Sequence, residues 1–141
     1  MAEFAPDPAG NDTLVLIAED DDALRRLLEL RLHMDGFAVA TAGDGQQAID
    51  QATTQDPPPD ILLCDIMMPR VSGLNVCRDL RARPRTRDMP IILLSAHNLD
   101  STIEAVMALG NIEFMNKPFD ACELRERILG VLGQHAGAGV E

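Results

Sequence analysis

Short apolar runs alternate with amphipathic stretches along this chain, and each run ends at polar residues. The runs lie at residues 14–18, 37–41, 60–64, 90–95 and 112–115. A short apolar run bounded by turn residues is typical of a buried parallel strand. After the first run, acidic residues 19–22 precede apolar residues at helical spacing, which are Leu24, Leu27, Leu28 and Leu32. The pattern therefore predicts a strand followed by a helix that carries acidic residues at its start.

The same strand-then-helix pattern occurs five times at even spacing. The last two predicted helices span residues 100–109 and 120–132, and Gly110 is expected to cap the first of them. Such alternation predicts an α/β fold with a parallel sheet, right-handed crossovers and helices on both faces. We expect one domain over residues 13–133, with a flexible leader at 1–12 and a flexible Gly- and Ala-rich tail at 134–141.

Chemically capable side chains stand where four of the predicted strands end. The first strand is followed by Glu19 and Asp20, the third by Asp65, the fourth ends at Ser95, and the fifth precedes Lys117, the only lysine. Ligands of open α/β sheets bind beside the carboxyl ends of the strands. Each residue alone has an ordinary explanation as a helix cap, a strand end or a surface charge. Their coincidence at four strand ends favours a common site.

Three carboxylates in one pocket need a compensating positive charge. Two unit charges about 4 Å apart repel by roughly 4 kcal/mol at an effective dielectric constant near 20. Carboxylate oxygens and water are the ligands that Mg²⁺ prefers. With Lys117 and the hydroxyl of Ser95, such a site is suited to hold a phosphoryl group, and Asp65 is then a candidate nucleophile.

Composition narrows the possible partners and the compartment. The 141-residue chain has a net charge of −11, so direct binding of nucleic acid is not expected. No apolar run approaches the ~20 residues of a membrane span, and the first residues lack the features of a secretory signal. The three cysteines (Cys64, Cys77 and Cys122) have no metal-binding spacing. We expect reduced, mostly buried thiols in a cytoplasmic protein.

The motifs, their order and their spacing resemble those of the receiver domain of two-component response regulators. The matching segments are LVLIAEDD at 14–21 with Leu24 and Arg25, DIMMP at 65–69 with Gly73, LLSA at 93–96, and KPF at 117–119. The resemblance covers about residues 13–132. It implies a doubly wound, flavodoxin-like (βα)5 three-layer sandwich with the parallel strand order 2-1-3-4-5.

The resemblance also implies a role for each site residue. Asp65 is expected to be the phosphoacceptor, Lys117 to pair with the phosphate, Ser95 to be the switch hydroxyl and Phe114 the switch aromatic residue. The expected Mg²⁺ ligands are Asp20 directly, Glu19 through water, Asp65, and the backbone carbonyl of Met67. The Lys117–Pro118 bond is expected to be cis. Two departures from the commoner family pattern are Glu19 in place of Asp and Phe114 in place of Tyr.

The implied function is a phosphorylation switch. A histidine kinase or phosphotransfer protein would donate a phosphoryl group to Asp65. The surface of the fourth helix, fifth strand and fifth helix would then change and act on an effector protein or a fused output domain. Apart from self-phosphorylation and self-dephosphorylation, no enzymatic activity is expected. Dephosphorylation should be slow, because Met67 positions water poorly and His97 is more simply explained as a loop residue.

Several alternatives remain at this point. Dimerisation through the same surface is one hypothesis, with Glu113, Arg125 and Arg127 as candidates for charge pairs between copies; a solvated charged face explains them equally well. A flavin-binding domain would need a Gly- and hydroxyl-rich loop where residues 19–22 are acidic. An aspartyl phosphohydrolase commonly has a second Asp at the position of Met67. A phosphorylation-independent scaffold predicts a missing acceptor or lysine, and both are present.

Overall fold

The computed structural model describes residues 13–96 and 98–140, with side chains described to residue 133. Strands and helices alternate along the chain. The strands are β1 Leu14–Ala18, β2 Ala38–Ala42, β3 Ile61–Asp65, β4 Ile91–Ser95 and β5 Ile112–Asn116. The helices are α1 Asp22–Met34, α2 Gly45–Thr54, α3 Gly73–Arg81, α4 Ser101–Met107 and α5 Ala121–Val140.

The five strands form one parallel sheet in the order β2-β1-β3-β4-β5, which confirms the expected topology. The chain moves from β1 outward to β2 and then returns to β3 on the other side of β1. The sheet therefore has its topological switch point between β1 and β3, where ligands of doubly wound sheets bind.

Alternate residues of each strand feed two separate hydrophobic cores. Leu16 of β1 faces a core shared with α2, α3 and α4. The next residue, Ile17, faces a core shared with α1 and α5. Because successive strand side chains point to opposite faces, apolar runs without alternation require cover on both sides. The result is the predicted three-layer sandwich.

Most predicted boundaries agree with the structure to within a few residues, and three differences are informative. Strand β2 begins at Ala38, because Phe37 instead donates its backbone N–H to Leu32 at the end of α1 and is buried. Leu27 lies on the outer face of α1 and is largely exposed, whereas Leu28 and Leu32 are buried. Among the helices of the described residues, none is long and apolar enough to cross a membrane.

The third difference is the length of α5. Its backbone continues to Val140, beyond the predicted end at residue 132. Alanine is the strongest helix former, and no proline follows residue 132, so the glycines of this stretch do not end the helix by themselves. The predicted end was therefore too early. The predicted flexibility of the tail stays a prediction, and the predicted leader at 1–12 lies outside the described residues.

Candidate functional site

Three carboxylates meet at the carboxyl ends of β1 and β3. Glu19 and Asp20 follow β1, and Asp65 is the last residue of β3. These strands are direct neighbours, with Ala18 paired to Cys64, so the residues that follow lie side by side. One carboxylate oxygen from each of Glu19, Asp20 and Asp65 lies within 4.8 Å of the others. Glu19 and Asp65 are buried, whereas Asp20 is exposed.

Lys117 contacts two of these three carboxylates. Its Nζ lies 2.9 Å from Oε1 of Glu19 and 3.3 Å from Oδ1 of Asp65. The side chain reaches across from the end of β5, and its backbone N–H donates to the carbonyl of Ser95 on β4. The peptide bond between Lys117 and Pro118 is cis, as expected. The only lysine of the chain thus binds two acidic residues that are far from it in sequence.

The electrostatics of the site follow from burial and from this lysine. Burial raises the pKa of Glu19, and the hydrogen bond from Lys117 only partly offsets it; the nearby charge of Asp65 raises it further. For Lys117, burial alone would lower the pKa, but the contacts with Glu19 and Asp65 outweigh it and raise the pKa. Lys117 therefore stays cationic at neutral pH, and one cation faces three carboxylates.

This donor set fits a small hard cation. Carboxylate oxygens from Glu19, Asp20 and Asp65 are suitable Mg²⁺ ligands, and the excess of negative charge favours a divalent ion. The fourth expected contribution, the backbone carbonyl of Met67, stays a prediction. The side chain of Met67 is 58% exposed and stands two residues after Asp65.

The two expected switch residues lie on the adjoining strands. Ser95 is the last residue of β4 and is fully buried. Strand β4 lies between β3 and β5, so Ser95 ends at the same sheet edge as Asp65 and Lys117. Phe114 on β5 is half-buried and packs against the core shared with α2, α3 and α4. His97, which was expected to be a plain loop residue, lies outside the described residues.

Two residues support the site in ways that the sequence did not reveal. Gly73 is the first residue of α3 and lies against the end of β3. A Cβ at this position would lie 2.3 Å from the backbone oxygen of Asp65. Its N–H donates to the carbonyl of Ile66. Arg25 on α1 donates to the backbone carbonyl of Glu19 at 2.8 Å. In the sequence, Gly73 and Arg25 were noted only because they match positions of the family motifs, and no structural role was assigned to them.

The residues considered for dimer contacts already have partners within the chain. Arg127 lies 3.3 Å from the carboxylate of Glu113 and donates to the carbonyl of Phe114. Arg125 lies 3.9 Å from Asp35 and 3.8 Å from Glu126. A dimer that used these arginines would have to exchange contacts that the single chain already makes.

A doubly wound parallel sheet with an acidic cluster and a lysine at its switch point defines the class of this protein. The family model for the response regulator receiver domain matches residues 15–129, and the chain belongs to that family. It is 38% identical over 118 residues to the phosphate regulon transcriptional regulatory protein PhoB of Rhizobium meliloti. The aligned region covers 84% of this chain and 51% of that protein. The chain thus spans about half the length of the curated relatives that it matches.

Solved structures show the same fold. The receiver domain of the Francisella response regulator 1452 aligns with a TM-score of 0.77 at 26% identity, over 89% of this chain and 99% of that one. The receiver domain of the sensor histidine kinase PA1611 from Pseudomonas aeruginosa PAO1 aligns with a TM-score of 0.77 at 30% identity, over 86% of this chain and 98% of that one. The latter structure is described with a magnesium ion coordinated in its active site cleft.

Proposed function

We propose that this receiver domain accepts a phosphoryl group on Asp65 from a phosphohistidine of a sensor histidine kinase or phosphotransfer protein in the cytoplasm. The observation that supports this most directly is the contact of Lys117 with both Glu19 and Asp65. It joins the buried carboxylates of Glu19 and Asp65 to a cation at the switch point of the sheet. An ion pair that only stabilised the protein surface would not need buried carboxylates.

The reaction makes one bond and breaks one. An oxygen of the Asp65 carboxylate attacks the phosphorus, an acyl phosphate forms, and the phosphorus–nitrogen bond to the histidine breaks. The imidazole keeps the electron pair and takes up a proton. Mg²⁺ held by Glu19, Asp20 and Asp65 would neutralise charge on the phosphoryl oxygens. The ammonium of Lys117 pairs with a phosphoryl oxygen, and the hydroxyl of Ser95 donates to another.

The outer face of α1 offers a surface for the phosphodonor. Leu27, Leu30 and Met34 recur at helical spacing and are largely exposed, so they form an apolar stripe along the helix. Helix α1 begins at Asp22, two residues after Asp20. A helix of the donor that packs on this stripe would bring its phosphohistidine close to Asp65.

Phosphorylation would act on α4, β5 and α5 through the residues next to the site. The new dianion draws Lys117 and Ser95 toward it, and Phe114 repacks against the space that Ser95 leaves. The altered surface then controls a partner protein or an output domain. The PhoB relative is a transcriptional regulatory protein about twice as long as the matched region.

We also propose that the phosphorylated form is long-lived and that no other substrate is turned over. Hydrolysis needs a water aligned on phosphorus, and the thioether of Met67, near the site in sequence, is only a weak acceptor. The half-life of the phosphorylated protein after removal of the donor should be minutes or longer. A half-life of only seconds would contradict this part of the proposal.

The direct test is incubation of the full chain with Mg²⁺ and acetyl phosphate, followed by intact-mass measurement. Wild type should gain the mass of one phosphoryl group, and Asp65→Asn should gain none. Asp88→Asn is the matched control, since Asp88 is exposed and outside the cluster. Addition of EDTA should abolish labelling. Equal labelling of wild type and Asp65→Asn would show that Asp65 is not the acceptor.

A further inference from the structure

The outer side of β5 and α5 carries an open groove that the phosphoryl chemistry does not use. Its volume is ≈ 400 Å³, and its lining residues are Glu113, Glu123, Glu126, Arg127, Gly130 and Val131. Residues 123, 126, 127 and 130 recur at helical spacing, so one face of α5 forms one wall. Glu113 of β5 stands opposite, and the buried Val131 forms part of the base.

The charge of this groove is predominantly negative. Of the described residues that line it, three carry carboxylates and one, Arg127, is a cation. That guanidinium is 3.3 Å from Glu113 and also donates to the carbonyl of Phe114, so it is held against β5. Glu126 approaches Arg125 at 3.8 Å, but its side chain is 76% exposed. The groove therefore presents carboxylates of α5 to solvent on a chain of net charge −11.

Gly130 keeps the groove open at a cost to the helix. Glycine inside a helix is destabilising by roughly 0.5–1 kcal/mol relative to alanine. Among the described residues, a Cβ at position 130 would meet nothing within 4 Å, so neither packing nor a close backbone approach there requires glycine. The missing side chain leaves space between the carboxylates instead. Gly133, one turn further along, is open in the same way but does not line the groove.

We propose that this groove binds a lysine or arginine side chain from a segment of a partner protein. The carboxylates supply charge complementarity, Gly130 supplies room, and the apolar base suits the methylene stem of a long cationic side chain. A second copy of this chain is a poor occupant, because Arg125 and Arg127 already pair within the chain and a two-fold contact would bring the exposed carboxylates of α5 together. This inference rests on the proposed function in one respect only: the face that carries β5 and α5 is taken to be the face that acts on a partner. Binding itself does not depend on Asp65.

The test is a titration of the ¹⁵N-labelled full chain with an alanine-rich helical peptide that carries arginines along one face. The same peptide with citrulline in place of arginine is the control for shape. Near-physiological salt of about 0.15 M limits non-specific attraction to an acidic protein. Amide shifts should centre on residues 113 and 123–131. The citrulline peptide should bind at least about tenfold more weakly than the arginine peptide.

Matched variants separate the groove from overall charge and from helix stability. Gly130→Leu should fill the groove and weaken binding of the arginine peptide about tenfold, whereas Gly133→Leu should not. Glu123→Gln should weaken binding, whereas Asp88→Asn, which also removes one negative charge, should have little effect. Asp65→Asn should bind like wild type, so failure of the phosphoacceptor proposal would leave this result unchanged.

Four outcomes would overturn the proposal. Arginine and citrulline peptides could bind equally, which would exclude charge recognition. Shifts could centre on Glu19, Asp20 and Asp65, which would place the peptide at the acidic cluster. Gly130→Leu and Gly133→Leu could behave alike, which would exclude the groove. Sedimentation equilibrium could show a dimer that Gly130→Leu disrupts, which would make a second copy the occupant.

Discussion

Lys117 and Glu19 are 98 residues apart in sequence, yet the ammonium of one lies 2.9 Å from the carboxylate of the other. The same ammonium lies 3.3 Å from Asp65. Because the side chain of Glu19 is almost fully buried, its carboxylate depends on this lysine for neutralisation. The candidate site is therefore also a structural ion cluster.

We expect Lys117→Gln to lower the free energy of unfolding by about 1–3 kcal/mol, because it leaves Glu19 and Asp65 as buried carboxylates without a cation. Urea unfolding measured without Mg²⁺ would give this value. Arg70→Gln is the control: Arg70 is largely exposed and lies 3.8 Å from Asp44. Its loss should cost less than about 0.5 kcal/mol. Equal effects of the two substitutions would argue against the role of Lys117 in stability.

Asp20→Asn should have opposite effects with and without metal. Asp20 adds a third negative charge to the cluster, so its removal should stabilise the metal-free protein by about 0.5–1 kcal/mol. The variant should also lose most of the stabilisation that Mg²⁺ gives to wild type, since a ligand stabilises the folded protein little when its concentration does not exceed its Kd. Thermal unfolding at several Mg²⁺ concentrations measures both effects. An unchanged response to Mg²⁺ would exclude Asp20 as a ligand.

Gly73→Ala should be strongly destabilising. The added Cβ would lie 2.3 Å from the oxygen of Asp65 and 2.8 Å from Cα of Ile66, and both are backbone atoms that cannot move aside cheaply. We expect a loss of about 1–3 kcal/mol and slower phosphorylation of Asp65. Gly133→Ala adds the same group to α5 in open space and should stabilise by up to about 1 kcal/mol. Denaturant unfolding of both variants would reveal the opposite signs.

The three thiols should react at different rates. Burial raises the pKa of Cys77 to about 12 and the pKa of Cys64 well above its ordinary value, so both remain protonated and inaccessible at pH 8. Cys122 is exposed. A thiol reagent should therefore label one cysteine in the folded protein and three in denaturant, as counted by mass. Cys122→Ser should abolish the fast reaction; rapid labelling of a second thiol would contradict the assignment of burial.

The fold and the members of the site were predictable because their signals are local. Each buried strand is an apolar run, and the residue that ends it, such as Asp65 or Ser95, is read directly from the chain. The order of strands was not local information, and only the resemblance to a family supplied it. Boundaries failed where strong and weak helix formers alternate, as in the Gly- and Ala-rich continuation of α5.

Arg81 shows what the sequence did not reveal. It stands in an Arg-rich stretch that looks like a solvated loop, but its guanidinium donates to backbone carbonyls of four residues, which are Thr86, Met89, Gly110 and Asn111. It thereby fastens the end of α3 to the turns before β4 and β5. Neighbouring arginines have the same local sequence character, so no pattern distinguishes Arg81 from Arg83, which pairs with Asp79.

The sequence by itself determined the α/β class and placed Glu19, Asp20, Asp65, Ser95 and Lys117 at strand ends, because hydrophobic periodicity fixes where strands stop. The tertiary structure decided which of these groups touch. It joined Lys117 to two carboxylates, pressed Gly73 against Asp65 and left Gly130 facing an open acidic groove. These relations depend on distances between segments far apart in sequence, which only the packed sheet and helices set.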